Sequence, residues 1–425
     1  MSRPDVVVVG AGAIGAATAY ELARNGVKVA LVERSHVGAG CSYGNAGLIS
    51  PSHAEALANP AAIRHGLAWI ARRDSAFGIR PRPSLLPWLA RFGAASLPRR
   101  SAAASATLRS LVAASLDAHE ALARGGLPTS FERRGILSVY ESEPAFAEAR
   151  RAAATSPVEA RVLRRDAALE LEPDLAPGIA GAIFRPGEAH CDPAAFTSAL
   201  VASARALGAD VRTGVEILAV HRTNGRVAEL QTTAGSLRPE TVVLAAGAWT
   251  KHLAAQAGVA IPLEGGKGYH LDLAAGTERQ LRAPIFLEEA RVTATPLAGR
   301  LRLTGALELS GFDQRIDPIR LETIRRAARR TLGPSAQARP ADVWRGLRPC
   351  APDGLPIVGH ADGVANLVLA TGHAMLGIAL APVTGEIVAD LVTGAQARHE
   401  IVPFSPSRFR RVRQAVSNRL RTGRS

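Results

Sequence analysis

Val6-Val7-Val8-Val9-Gly10-Ala11-Gly12-Ala13-Ile14-Gly15, running on through an alanine-rich segment to Asn25-Gly26, is the stretch on which the fold turns. Four consecutive β-branched residues with no polar alternation read as a strand buried on both faces. Residues 16–24 read as a helix, stopped by Asn25-Gly26. Residues 27–33 read as a second strand. Together they make a β-α-β unit of about thirty residues, the building block of a doubly wound parallel sheet. Within it, Gly10, Gly12 and Gly15 have the G-x-G-x-x-G spacing of a dinucleotide-binding turn. Gly10 permits the tight turn, Gly12 lets backbone approach a pyrophosphate, and Gly15 brings helix and strand close. The first helical turn, with Ala13 and Ile14, offers free N–H groups and a positive dipole end to the phosphates. Glu33, eighteen residues past Gly15, is placed to accept hydrogen bonds from a ribose diol, and its charge disfavours a 2′-phosphate. Arg34 follows it at the same strand end.

Outward from this unit the pattern changes twice. Residues 61–125 read as helical, broken at Pro81, Pro83, Pro87 and Pro98, and a short strand is expected over 135–140. A helical and loop stretch then runs to about 184. The α/β pattern returns at Pro193, with a helix over 196–207 and strands over 210–213, 215–222 and 227–232. Asn224-Gly225 joins the last two as a hairpin. A buried strand over 241–246 ends at Gly247, and 263–312 alternates strand-like runs with glycine-bearing turns. Residues 319–332 suit a basic amphipathic helix. A strand over 367–370, the turn Thr371-Gly372-His373 and a helix over 374–391 follow. Dinucleotide-type segments therefore lie at the start, middle and end. The expected fold class is α/β, a Rossmann-like dinucleotide-binding domain with an interleaved α+β substrate domain built on an antiparallel sheet. Residues 1–60, 185–262 and 340–405 are assigned to the first, 61–184 and 263–339 to the second, and 406–425 to a basic tail.

Composition narrows the function classes. The chain has 425 residues, 47% hydrophobic and 21% charged, which allows two or three domains with real cores and excludes a disordered protein. Cys41, Cys191 and Cys350 form neither a disulfide framework nor a metal-ligand spacing, so no metal is expected and the cytoplasm is the expected compartment. The formal charge of +14 raises nucleic acid as a partner. Lysine occurs only at 28, 251 and 267, and half of the excess lies in the last eighteen residues, at Arg408, Arg410, Arg411, Arg413, Arg419, Arg421 and Arg424. Phe409 alone interleaves these arginines, so a nucleic-acid surface is not expected. Pro4 and Asp5 lead into the valine run without a cleavage site, and Thr371, Gly372, His373 and Gly377 interrupt the one other stretch of spanning length. Leu85, Leu86, Trp69 and Trp88 with their neighbouring arginines fit either a peripheral contact on the inner face of the cytoplasmic membrane or ordinary helix packing.

Longer motifs recur along the chain: Cys41 through Pro51, Phe77-Gly78-Ile79-Arg80-Pro81, Trp88 through Phe92, Val243 through Trp249 and Lys267-Gly268-Tyr269. Trp344-Arg345-Gly346-Leu347-Arg348-Pro349, Pro352 through Gly359, Thr371 through Gly377 and Thr384-Gly385 complete them. Over most of its length the chain resembles the D-amino-acid oxidase superfamily of FAD enzymes, and within it the bacterial D-amino-acid dehydrogenases. Residues 42–47 and 373–382 are similar to the branch that oxidises D-hydroxyproline or D-proline.

This resemblance implies noncovalent FAD, since Cys350 does not match the cysteine through which some relatives attach flavin. It implies cofactor contacts at Ser42, Asn45, Ala46, Gly47, Leu48, Val215, Ala246, Gly247 and Trp249, and at Gly372, His373, Ala374, Met375, Leu376 and Gly377. A helix starting near Met375 would set its dipole end at the flavin edge where negative charge collects. Arg348 corresponds to the family's carboxylate-binding arginine, a role suited to its planar fork. Tyr269 stands either as a second hydrogen-bond donor to the carboxylate or a residue closing the site, or as a packing tyrosine; His53 and His270 are candidates to face the site, with ordinary structural roles the favoured reading for both. His373 stands either as a catalytic candidate or as a helix-capping residue; no protein base is required if the amine arrives unprotonated. The implied activity is dehydrogenation of a D-amino acid, with electrons passed to a quinone or another carrier and with an oligomer left open. Two alternatives stand beside it: a glycine- or sarcosine-type oxidase using O2, and an FAD-carrying subunit of a hetero-oligomeric amine dehydrogenase.

Overall fold

The computed structural model of the protein describes residues 4–64, 75–274, 281–333 and 336–410. Val6–Val9 sits inside a six-stranded sheet, parallel to Val29–Glu33 on one side and to Thr241–Leu244 on the other. Asp210–Thr213 and Leu367–Thr371 extend the parallel order outward, and Ile357–His360 closes one edge antiparallel. All four valines are buried because both faces are covered. Val6 and Val8 pack under the helices Ala13–Arg24, Pro193–Ala206 and Ala381–Thr393. Val7 and Val9 pack under the antiparallel strands Ile217–Thr223, Arg226–Thr232 and Gly235–Leu237. Each such side chain contributes roughly 1.5–3 kcal/mol by leaving water. The hairpin turn at Asn224-Gly225 has both residues at positive φ, as a two-residue connection of this hand needs.

The second body is a nine-stranded sheet. Pro340–Cys350, Glu264–Ala274, Arg300–Leu309 and Val292–Leu297 run antiparallel in that order, followed by Ile285–Leu287, Ile136–Tyr140, Gly181–Arg185 and Arg161–Arg164. Two of its pairings are parallel: Ile285–Leu287 with Ile136–Tyr140, and Phe77–Ile79 with Arg300–Leu309. Helix Pro318–Thr331 covers one face through Ile324, Ala327 and Ala328. The opposite face is turned toward the first body, and the chain from Tyr43 to His53 runs across it.

The structure departs from the sequence reading at four places. Phe77–Ile79 is a strand inside the region read as wholly helical, while Pro87 and Pro98 sit at the starts of the helices Leu86–Ala95 and Pro98–Arg124, as their missing N–H allows. Arg161–Arg164 and Gly181–Arg185 are strands in the stretch read as helix and loop. Pro340–Cys350 pairs with Glu264–Ala274 along its length, so it belongs to the second body and not to the first, where a boundary at 340 put it. The closing helix begins at Ala381, not near Met375: Gly372 and Ala374 both adopt positive φ, and the chain needs one more turn before Pro382 can start a helix. Trp69 and the arginines beyond Arg410 lie outside the described residues.

Candidate active site

In an open parallel sheet, ligands collect beyond the carboxyl ends of the strands. Four such ends carry the sequence-identified cofactor residues. After Val6–Val9, Gly10 turns at φ +104°, where a Cβ would lie 2.7 Å from the Ala245 carbonyl oxygen, and a Cβ on Gly15 would lie 1.8 Å from the Gly10 oxygen. The turn therefore admits no side chain at either position. The Ser42 hydroxyl accepts the Ala13 N–H at 2.8 Å, at the helix start beside Gly12 and Ile14. After Val29–Glu33, one Glu33 oxygen accepts the Ala11 N–H at 2.8 Å and the other the Ser35 N–H at 3.0 Å. The Val215 N–H is donated to the Glu33 carbonyl at 2.9 Å, so Val215 flanks this end. After Thr241–Leu244 come Ala246, Gly247 and Trp249. The Arg34 guanidinium lies 4.0 Å from the Trp249 ring, joining two strand ends. After Leu367–Thr371, Thr371 Oγ1 donates to the Gly247 carbonyl at 3.0 Å, and the turn continues through Gly372 to Gly377.

The close-packed turn at Gly10 and Gly15, the acidic strand end and the helix start at Gly12 form a cradle beyond the strand ends, although the Ala13 N–H expected to be free for phosphate is taken by Ser42. They fit an adenine dinucleotide. Asn45, Ala46, Gly47 and Leu48 lie between this cradle and the second body. Asn45 Nδ2 donates to the Met375 carbonyl at 3.0 Å, and its Oδ1 accepts the Gly47 N–H at 2.8 Å. Leu48 pairs with His190 in a two-residue ladder. His373 is 3% exposed, with Nε2 3.0 Å from Thr384 Oγ1, and burial alone pushes its pKa down to about 3. It is a neutral ring joining the turn to the closing helix. Ala374 and Leu376 complete the turn by bonds to Pro349 and His373 carbonyls.

On the facing sheet, Gly268 of one strand is registered opposite Gly346 of the next. A Cβ on Gly268 would meet the Arg348 guanidinium at 2.2 Å, and one on Gly346 would meet the Trp344 indole at 2.0 Å. Guanidinium and indole therefore lie side by side over a floor of paired glycines. Arg348 Nη1 donates to the Ala306 carbonyl at 2.7 Å, and no carboxylate pairs with it among the described residues. Ala306 holds a strained φ of +59° at a bulge, which turns that carbonyl toward Arg348. Burial lowers the guanidinium's pKa from its ordinary value, with the Cys41 and Cys350 sulfurs opposing. A half-buried, unpaired fork of this kind fits a carboxylate.

The other three sequence-identified substrate residues are elsewhere. Tyr269 alternates to the face opposite Gly268, where its hydroxyl donates to Glu308 at 2.5 Å and Lys267 reaches the same carboxylate at 3.3 Å. This corrects the candidate hydrogen bond to the substrate: strand period two points the side chain away from Arg348. His270 shares the Arg348 face but is fully buried, stacked on Trp344 with Nε2 3.3 Å from Asp342. Burial and the nearby Arg302 push its pKa down to about 4. The candidate ligand atoms of His270, Asp272 and Asp342 lie within 4.8 Å of one another. Arg300 and Arg302 already neutralise Asp272, so the trio reads as a hydrogen-bond junction. His53 lies toward the far strands, 3.1 Å from Ser138 Oγ and 3.5 Å from Glu288, with Ser50 and Glu188 on its other nitrogen. Sequence reasoning left Trp344, Ala306 and Arg302 without roles. Alternation along 340–350 carried the signal for Trp344; nothing local marked the other two.

Comparison with known proteins gives the family and the fold. Residues 5–391 match the model of a family described as FAD dependent oxidoreductase. A D-amino acid dehydrogenase of Paramagnetospirillum magneticum is 36% identical over 404 residues, covering 92% of this chain and 95% of that one. One from Cereibacter sphaeroides is 33% identical over 430 residues, covering 97% and 98%. Among solved structures, glycine oxidase from Geobacillus kaustophilus superposes with a TM-score of 0.76 at 26% identity, covering 96% of this chain and 99% of that one. L-proline dehydrogenase from P. horikoshii shares the fold, with a TM-score of 0.74 at 18% identity over 96% of this chain and 98% of that one.

Proposed function

The chain belongs to the family of FAD-dependent oxidoreductases, and from that premise we propose that it dehydrogenates a D-amino acid, with D-proline or D-hydroxyproline as the favoured substrates and a quinone or other carrier as acceptor. The single observation that carries this reading is the unpaired Arg348 fork beside the Trp344 indole, opposite a dinucleotide cradle. Bound FAD supplies the acceptor for the hydride leaving Cα. Arg348 holds the carboxylate by two charge-assisted hydrogen bonds and so fixes Cα, which is where orientation supplies the rate. The flat indole gives a cyclic or apolar side chain a surface to pack on. Tyr269, His270 and His373 are committed to Glu308, Asp342 and Thr384, so the substrate amine would bind unprotonated, its lone pair forming the protonated imine as hydride leaves Cα, and that cation then loses its N–H proton to water. A cyclic imine persists; an acyclic one hydrolyses to a 2-oxo acid. The buried Cys350 thiol, pushed up to about 12, supports noncovalent FAD.

The acceptor reading is supported by the surface. No helix among the described residues is long and apolar enough to cross a membrane. Leu85 and Trp88 pack inward, Trp88 donating its Nε1–H to the Cys350 carbonyl at 3.1 Å. Leu86 and Leu97 are exposed; of the six arginines in residues 75–116, Arg80 and Arg82 pair with Asp313 and Glu264, which leaves Arg91, Arg99, Arg100 and Arg109 on the helices Leu86–Ala95 and Pro98–Arg124. Such a surface suits an anionic membrane in which a quinone dissolves. The kinship with glycine oxidase supports a second reading, an oxidase of small amino acids. A panel of D- and L-amino acids assayed with an artificial dye and with O2 separates them. Dye reduction by D-proline without stoichiometric hydrogen peroxide is expected, with kcat/KM rising with pH as the amine deprotonates. Peroxide formed one-for-one with glycine or sarcosine would replace this reading by the second.

A further inference from the structure

Tyr43–Gly47 is held on one side by Asn45 Nδ2 donating to the Met375 carbonyl and by the Gly47 carbonyl accepting the Cys191 N–H, and on the other by the nine-stranded sheet. Arg302 is fully buried, and its Nη1 donates to the Tyr43 carbonyl at 2.5 Å and to the Asn45 carbonyl at 3.2 Å. Its Nε and Nη2 fork the Asp272 carboxylate, both at 2.8 Å. Thr295 Oγ1 donates to the Ala46 carbonyl at 2.8 Å, the Tyr43 hydroxyl donates to Asp342 at 2.9 Å, and the Trp344 ring lies against Gly44. The holds from Arg302, Thr295, Asp342 and Trp344 come from the sheet, and the backbone bonds among them engage carbonyls. In a trans peptide the N–H points opposite to the carbonyl it is joined to. With the Tyr43 and Asn45 carbonyls turned to Arg302, the Gly44 and Ala46 N–H groups point to the other side of the loop. Neither has an acceptor among the described residues.

We propose that Arg302 is a positioning residue: by holding two alternate carbonyls it presents the Gly44 and Ala46 N–H groups as a paired donor to the flavin ring, so that the sheet sets how readily the ring takes up negative charge. Asp272 neutralises the guanidinium, and the contribution of Arg302 is therefore orientation of two peptide dipoles rather than added charge. The hold is itself braced. Arg300 reaches Asp272 at 3.0 Å and Asp192 at 2.5 Å, and Asp192 caps the helix Pro193–Ala206 of the first body. The proposal rests on the FAD reading and not on the identity of the substrate.

The test is the midpoint potential of the bound flavin, titrated without substrate, in Arg302→Met, Arg302→Lys and Thr295→Val, together with FAD affinity and Tm. Arg302→Met is expected to disfavour the reduced flavin at least tenfold, which is about 30 mV to the negative for a two-electron couple, and to weaken FAD binding about tenfold. Thr295→Val should move both in the same direction by less, and Arg302→Lys should recover part of the loss. A lowered Tm with unchanged potential in Arg302→Met would reduce Arg302 to a stabilising residue and overturn the proposal. Should Arg302→Met not fold, unchanged potentials in both Arg302→Lys and Thr295→Val overturn it. A failure of the FAD reading is separate, because the unsubstituted protein would then carry no flavin.

Discussion

The two bodies make their halves of the site by different means. On the parallel sheet the cradle is backbone: turns at four strand ends, with the decisive glycines five residues apart. On the nine-stranded sheet the surface is side chain: Arg348 and Trp344 share the strand Pro340–Cys350 and Arg302 stands on Arg300–Leu309 beyond the intervening strand Glu264–Ala274, brought level by register and by a bulge at Ala306. A backbone site tolerates no added atom where it binds. A side-chain site tolerates changes around it and fails when one group is lost.

Substitution at the turn is the sharpest way to break this contrast. Gly15→Ala puts a methyl 1.8 Å from the Gly10 carbonyl, and the strand and helix must part. We expect FAD affinity to fall by on the order of a thousandfold or more, about 4 kcal/mol, read by flavin release on dialysis. Retention of stoichiometric flavin would show that the turn yields. On the other body, Arg348→Lys removes the fork but keeps the charge. We expect kcat/KM to drop about a hundredfold, roughly 2.7 kcal/mol, with FAD retained.

That difference also explains what was legible in the sequence. The strand, turn, helix and acidic strand end of residues 6–33 were readable because their chemistry is local. Arg348 became visible only through resemblance to a family, since nothing distinguishes it by type among so many arginines. The choice between substrate contact and packing for Tyr269 stayed open in the sequence because alternation was not carried from Gly268. Arg302 and Asp272 were silent because their pairing exists only once Glu264–Ala274 and Arg300–Leu309 are in register. The late start of the closing helix at Ala381 was hidden because a left-handed alanine leaves no trace in hydropathy.

Acid sharpens the contrast less strongly, because it acts on both bodies. His373 and His270 are buried neutral, with pKa values pushed down to about 3 and about 4. The unfolded chain binds protons at these rings near pH 6.5 while the folded chain does not, so stability is full above that pH and is lost as pH falls toward 4. The slope approaches about 1.4 kcal/mol per pH unit for each ring. Denaturant melts at stepped pH values check it, and His270→Asn should flatten the curve. The smallest effect is expected at Tyr269→Phe, which deletes a buried hydrogen bond on the face away from Arg348. It should lower stability by about 1 kcal/mol and leave kcat/KM within about twofold. A large kinetic loss would return Tyr269 to the substrate.

Activity requires FAD and the Arg348 carboxylate site to work as one. Anaerobic mixing of the purified yellow protein with D-proline, then with L-proline, while the flavin's visible absorbance is followed, tests this directly. Bleaching by the D-enantiomer alone, slowed about a hundredfold at low substrate in Arg348→Lys with flavin still bound, is the expected result. A colourless protein that takes up no flavin, or bleaching by the L-enantiomer alone, would contradict it.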